Sequence, residues 1–156
     1  MRQEIRDGQA GFSLLEGLIV LALVGAIGMA LWPQYAEWQR VQYREPARQA
    51  LQELHRQLER HHHRTGSYAG AAGTDRDPRE TGVPRLMPAA VPDNATPHYR
   101  LLIVTANRRG FEIHAAPVGP QTADICGTLT LTATGQRGMV EAAPEARRDD
   151  CWPQAQ

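Results

Sequence analysis

The sequence predicts an α+β fold in which one long N-terminal helix packs on a small antiparallel β-meander. Three observations predict it: an uncharged apolar stretch over residues 17–36, an amphipathic helical pattern over 37–64, and short alternating apolar segments over 98–141. So small a sheet is not stable alone, so its apolar face needs the amphipathic half of the helix as a cover. The 156 residues suit one compact domain with appendages.

The N-terminal segment predicts a single membrane-spanning helix. Residues 1–11 are polar, and their two arginines are offset by two carboxylates. Residues 12–36 then form an apolar stretch long enough to cross the hydrocarbon of a bilayer. Pro33 is expected to bend this helix or to mark its exit from the membrane.

Glu16 is the unusual residue of this segment. A lone carboxylate at the head of a membrane span is costly and usually has a partner, and a plain signal anchor has no use for it. A cleaved secretory signal needs small residues after its apolar region, and residues 32–37 fit that pattern poorly. A plain anchor is therefore the weaker alternative.

The run Gly11-Phe12-Ser13-Leu14-Leu15-Glu16, followed by the apolar helix, resembles the class III signal of type IV pilins and pseudopilins. The resemblance implies that a prepilin peptidase cuts between Gly11 and Phe12 on the cytoplasmic side. It also implies that Phe12 is N-methylated and that Glu16 is the assembly residue. The chain departs from the family in its leader, which is not net positive, and in Gly17, where a bulky apolar residue is common.

Cleavage would create an ammonium on Phe12, which a neighbouring subunit can bring to Glu16. Two opposite charges attract strongly in a low dielectric, and an unpaired Glu16 would be penalised, so pairing would set the axial register of the fibre. Small residues in the same helix permit close approach of neighbouring helices, namely Gly25, Ala26, Gly28 and Ala30.

Residues 37–64 are predicted to form the amphipathic half of the helix, because Leu51, Leu54 and Leu58 recur at helical spacing. Pro46 is expected to bend or interrupt this half. The helix is expected to end near Arg64, where Thr65-Gly66-Ser67 is a stop signal.

Four histidines, His55 and His61 to His63, lie on this part of the helix. No two of them are three or four residues apart, which is the spacing that places ligands on one helical face. Glu59 is four residues from both His55 and His63, so a weak metal site is an alternative. We predict instead a solvated helix end, with no metal and no cofactor.

Prolines and glycines predict a long helix-to-sheet loop over residues 65–97. The sheet is predicted over residues 98–141, and a C-terminal loop over 142–156. The predicted strands are 98–105, 111–115, 125–132 and 137–141, joined by turns at 107–110 and 134–136.

The two cysteines, Cys126 and Cys151, lie in the part of the chain that the membrane segment would export. In an oxidising compartment they predict one disulfide, which would staple the C-terminal loop to the sheet beneath Trp152.

The C-terminal part carries a second resemblance. Several segments resemble PilE-type minor pilins of the type IVa pilus. They are the string from Gln121 to Leu131, the later Gly135, the Cys151-Trp152 ending and the segment from Leu58 to Tyr68. The resemblance implies the pilin fold and a minor pilin that supports pilus biogenesis and its functions, which are twitching motility, adhesion or DNA uptake. The N-terminal motif alone also fits a type II secretion pseudopilin, which stays an alternative.

No enzymatic activity is predicted, because the sequence has no nucleophile elbow, phosphate-binding glycine loop or metalloprotease pair. His114 and Asp124, on predicted strands, are expected to be surface or core residues rather than a catalytic pair. The formal net charge of zero argues against bulk nucleic-acid binding. The basic pairs Arg108-Arg109 and Arg147-Arg148 keep a tip adhesin or a DNA-binding pilus subunit open as alternatives.

The resemblance also implies partners and locations. The expected partners are the prepilin peptidase, other pilin subunits and the assembly platform of the inner membrane, with weak binding of DNA or of a surface as a further option. The precursor is expected to cross the inner membrane once with its C-terminal head in the periplasm, and the assembled subunit to lie in the extracellular pilus.

Overall fold

The computed structural model describes residues 14–72, 82–92 and 96–153. The leader and the predicted cleavage residues Gly11 and Phe12 lie outside these ranges. The chain divides into two compact units, Met1–Trp38 and Gln39–Gln156.

Helix α1 runs without a break from Leu14 to Thr65. Its first part is long and apolar enough to cross a membrane by length and composition, with a mean hydropathy of 2.4 over 18 residues and none of that window buried. Of the two outcomes predicted at Pro46, a bend or an interruption, the interruption does not occur. Arg44 and Ala47 are buried on either side of Pro46, so tertiary packing holds the helix where proline removes a hydrogen bond.

The end of α1 agrees with the predicted stop signal to within one residue. Gly66 adopts a φ of +74°, and its N–H donates to the carbonyl of His62 at 2.8 Å. A glycine in the left-handed region is a common helix terminator because it lacks a Cβ.

Five strands form one antiparallel sheet in the order β1-β2-β3-β4-β5, so the predicted α+β meander is confirmed. The strands are β1 (Ala90–Val91), β2 (Tyr99–Ala106), β3 (Phe111–Pro117), β4 (Thr128–Thr132) and β5 (Arg137–Val140). A 3₁₀ helix, Gly119–Ala123, joins β3 to β4, and a short helix α2, Arg148–Cys151, precedes the C-terminus.

Two differences from the predicted sheet are larger than the one or two residues by which the other strand ends shift. The strand expected from Ile125 begins only at Thr128, because the N–H of Gly127 donates to the carbonyl of Asp124 and closes a turn. The segment predicted to be all loop contains β1, which pairs with β2. Just before it, Gly82 exchanges two backbone hydrogen bonds of 2.8 Å with Ile103, so this segment covers the outer edge of β2.

The core lies between the amphipathic half of α1 and the sheet. Leu51, Leu54 and Leu58 have no solvent exposure, as their spacing predicts. Their partners in the same cluster include Leu101, Ile103, Ile113 and Leu129. Every buried apolar residue in the described part of the chain follows Gln39, so the second unit contains a complete core of its own.

Candidate functional site

The apolar half of α1 carries the predicted assembly residue. Glu16 lies exposed in the first turn of the helix, where the positive end of the helix dipole favours a carboxylate. The large apolar side chains that follow are also exposed, including Leu21 at 71% and Val24 at 62%. The glycines of this half have open space around them, since a Cβ at Gly25 or Gly28 would meet nothing within 4 Å. Phe12, the predicted partner of Glu16 in a neighbouring subunit, lies outside the described residues.

The C-terminal loop is held by a disulfide between Cys126 and Cys151, and both residues are fully buried. Two further bonds anchor the same loop. The Nη1 of Arg48 on α1 donates to the carbonyl of Cys151 at 2.9 Å, and the indole Nε1 of Trp152 donates to the carbonyl of Gly138 on β5 at 2.8 Å. The loop is therefore tied to both the helix and the last strand.

A buried ion pair that the sequence reasoning missed joins α1 to the segment before the disulfide. The guanidinium of Arg44 lies 2.6 Å from Asp124 through Nη2, and its Nε approaches both carboxylate oxygens at 3.0 and 3.1 Å. Asp124 follows the 3₁₀ helix rather than lying on a strand, which corrects the prediction for this residue. His114 contacts Glu112 instead, so the structure does not bring His114 and Asp124 together.

Three further donors complete the shell around Asp124. Its oxygens accept from the hydroxyl of Tyr99 at 2.8 Å, the amide of Gln121 at 2.8 Å and the backbone N–H of Cys126 at 3.1 Å. Burial alone would raise the pKa of the Asp124 carboxyl, but the hydrogen bonds from Arg44, Cys126 and Tyr99 outweigh burial and lower that pKa. Burial and the adjacent carboxylate raise the pKa of Tyr99, so its hydroxyl stays a donor.

Four arginines lie at the end of the head where α1 terminates, and we call this group the basic end: Arg60, Arg64, Arg108 and Arg109. The N–H of Tyr68, just after α1, donates to the carbonyl of Asn107 at 3.1 Å, which places the β2–β3 turn beside the helix terminus. The side chain of Asn107 accepts from two N–H groups of its own turn, at 2.7 and 3.2 Å. This Asx turn holds the exposed arginines at its tip, as the residue types predict.

Of the four arginines of the basic end, Arg60 forms an ion pair with a carboxylate. Glu53 accepts from Arg60 at 3.1 Å and from Arg56 at 2.7 Å. In the described part of the chain, neither Arg108 nor Arg109 makes a side-chain ion pair. The pair Arg147-Arg148 differs, because two aspartates follow it directly.

Three of the four histidines are packed more closely than a solvated helix end predicts, whereas His63 is exposed. His61 places Nε2 at 2.7 Å from the carbonyl of Ala69, and His62 stacks on Tyr68 with ring centroids 4.3 Å apart. His55 meets the ring of Phe111 edge-on at 5.1 Å. Glu59 accepts from the hydroxyl of Tyr68 at 3.0 Å. Among the described residues, no group of three or more histidine, cysteine, aspartate or glutamate side chains is arranged to hold a metal ion.

Comparison with known proteins places the chain among the pilins. No curated protein sequence matches it. A solved structure of a type IV pilin from Shewanella oneidensis is similar, with 24% identity, coverage of 76% of this chain and 99% of that chain, and a TM-score of 0.38. The family model described as the type IV minor pilin ComP, DNA uptake sequence receptor, matches residues 33–130. That range is more than half of the chain, which therefore belongs to the ComP family of type IV minor pilins.

Proposed function

We propose that this minor pilin is made as a membrane-inserted precursor, is cut between Gly11 and Phe12 by a prepilin peptidase, and enters the pilus through the apolar half of α1. The observation that carries the proposal is the exposure of that half, where large apolar side chains such as Leu14 and Leu18 lie open over several helical turns. Such a surface needs lipid before assembly and neighbouring subunits afterwards.

Glu16 gives this surface an axial register. A carboxylate among apolar helices is penalised unless a cation meets it, and the new ammonium of a neighbour's methylated Phe12 is such a cation. The pairing selects one axial offset between adjacent subunits, whereas apolar packing alone would allow many axial offsets.

The exported head, the membrane orientation and the partners follow from the same proposal. The head enters the periplasm, where the Cys126–Cys151 disulfide forms, and the assembly platform of the inner membrane then moves the subunit into the extracellular pilus. We propose a structural role for the chain and no catalytic one.

Two measurements test the assembly proposal. The mature N-terminus should read Phe-Ser-Leu-Leu-Glu with a methylated first residue, and a terminus beyond Trp32 would contradict it. The variant Glu16→Val should be cleaved and membrane-inserted but lost from sheared pili, because only the paired charge is removed. The matched control Leu18→Val should enter pili as the wild type does. Wild-type incorporation of Glu16→Val would refute the role of the carboxylate.

We further propose that the head binds DNA at the basic end. The matched family is described as a DNA uptake sequence receptor, and this chain places exposed arginines together on a turn and a helix terminus. Phosphate contacts by arginine make binding fall steeply with salt, although the chain as a whole is neutral.

A salt series on the head, Gln39–Gln156, tests DNA binding. The double variant Arg108→Gln/Arg109→Gln should weaken binding of labelled duplex DNA. The slope of log affinity against log salt should also become shallower by about 2, because two phosphate contacts are lost. The control double variant Arg147→Gln/Arg148→Gln should bind as the wild type does, because adjacent aspartates already offset that pair. An equal loss in both variants would indicate a general charge effect and would contradict the proposed site.

A further inference from the structure

A cleft opens beside the basic end, between α1 and the β4–β5 turn. Its volume is about 440 Å³, and it is lined by Gln52, His55, Arg56, Leu131, Gly135 and Arg137. Leu131 supplies an apolar floor, and the residues around it are cationic or polar. None of these six residues is acidic.

Arg137 is the group whose surroundings point to a ligand. Its guanidinium carbon lies 5.5 Å from the centroid of the Trp152 ring, which holds the planar group by a cation–π contact. No carboxylate among the described residues pairs with it. A guanidinium that is partly buried, stacked and unpaired keeps its N–H donors for an external anion.

Arg56 supplies a second cation across the cleft. Its Nε and Nη2 donate to Glu53 at 3.0 and 2.7 Å, which fixes the side chain on the helix. Its Nη1 has no acceptor among the described residues, so one donor remains for a ligand.

The cleft is continuous with the arginine turn of the basic end. The N–H of Ala133 donates to the carbonyl of Phe111 at 3.0 Å, which joins the β4–β5 turn to the start of β3. A Cβ at Gly110 would lie 3.5 Å from the Cβ of Ala133, so the β2–β3 and β4–β5 turns touch. One extended polyanion can therefore contact both.

We propose, resting on the DNA binding proposed above, that this cleft holds a phosphate and its attached sugar from the same DNA. Arg137 and Arg56 take the phosphate oxygens above the floor that Leu131 forms. Arginine is the preferred residue for phosphate because its planar donors match the oxygens of the group. Contacts of this kind position a protein on DNA and carry no sequence information.

Two variants of the full chain in detergent micelles test the cleft, with a short labelled duplex DNA as the probe. Arg137→Gln should weaken binding and make the negative slope of log affinity against log salt shallower by about 1, because one phosphate contact is lost. Arg137→Lys, which keeps the charge but not the planar fork, should retain the slope. Gln52→Trp should block the cleft on an exposed helical position and weaken binding with every arginine in place. Gln49→Trp, exposed on α1 but outside the cleft lining, is the control and should bind as the wild type does.

The outcomes separate this inference from the function on which it rests. If Arg137→Gln and Gln52→Trp bind like the wild type while Arg108→Gln/Arg109→Gln does not, the cleft is not part of the site and DNA binding stands. If the wild type fails to bind duplex DNA at low salt, both proposals are refuted. Thermal unfolding of Arg137→Gln checks that loss of the Trp152 contact leaves the head folded, and Gln52→Trp tests the cleft without touching that contact.

Discussion

The substitution Asp124→Asn should strongly destabilise the head, although it is nearly isosteric. The amide has nearly the size of the carboxylate but no charge, and it turns one acceptor oxygen into a donor. Arg44, at 3% exposure, then loses the charged carboxylate that accepts three hydrogen bonds from its guanidinium. The new NH₂ group also faces donors, since Tyr99 and Gln121 both donate to Asp124 in the native head.

The expected loss is about 3–5 kcal/mol in the free energy of unfolding, which is the usual cost of removing one partner of a buried ion pair. Native domains are stable by about 5–15 kcal/mol in total, so this one change removes a large share of the stability. For comparison, Glu45→Gln breaks the more exposed contact between Glu45 and Arg48 and should cost less than about 1 kcal/mol.

Urea unfolding of the segment Gln39–Gln156 measures these differences, because that segment contains the whole core. The double variant Arg44→Met/Asp124→Asn removes the buried guanidinium together with its carboxylate. Its loss of unfolding free energy should be smaller than the sum of the losses in the two single variants, by more than about 1 kcal/mol. A loss below about 1 kcal/mol in Asp124→Asn, or strict additivity of the two changes, would refute the view that the pair acts as a buried unit.

The same pair predicts an acid dependence. The pKa of Asp124 is lower in the folded head than in the unfolded chain, so its contribution is present above the unfolded pKa and is lost as pH falls through the folded one. Asp124→Asn lacks this contribution at every pH. The stability difference between wild type and variant should therefore shrink as the pH falls below about 4. A difference that stays constant across this range would contradict the assignment.

Two sets of substitutions, one at the cysteines and one at two glycines, test the C-terminal region. Cys126→Ser and Cys151→Ser should each lower the free energy of unfolding by about 3 kcal/mol, because the disulfide closes a loop between residues 25 apart. The double variant should lose little more, since either change alone breaks the bond. Additive losses in urea unfolding would show that the disulfide is not the shared cause. Gly127→Ala should lower the free energy of unfolding by more than the roughly 1–2 kcal/mol that a left-handed backbone costs a residue with a Cβ, because that Cβ would also lie 2.6 Å from the carbonyl oxygen of Glu141. Gly135, at φ +78°, is the control, because its Cβ would meet nothing within 4 Å. Gly135→Ala should therefore show the backbone cost alone. Equal losses at the two glycines would remove the steric part of this explanation.

Regular periodicity predicted the elements that bury a continuous face. The leucines at 51, 54 and 58 identified the buried stripe of α1, and alternation identified β3 and β4 with small errors at their ends. An apolar run identified β2, and the turn at 134–136 indicated β5 after it. Strand β1 could not be found this way, because two residues carry no period and pair only through the backbone of β2. For a related reason, the helix continues through Pro46, where a bend or an interruption was expected. The packing of residues on either side of a proline arises only in the folded head, so helix propensity along the sequence cannot predict it.

The buried ion pair shows most clearly what the sequence holds and what it leaves open. Arg44 lies three residues before Ala47 and seven before Leu51, so the periodicity that identifies the core leucines also places this arginine on the core-facing line. A guanidinium on that line requires a buried anion, because an unpaired charge there is too costly. That requirement was readable from the sequence. The identity of the anion was not, since Asp124 lies 80 residues away and reaches Arg44 only because the 3₁₀ helix turns the chain back before Cys126. Local spacing therefore reveals that a charge is buried, and only the tertiary path of the chain reveals which residue neutralises it.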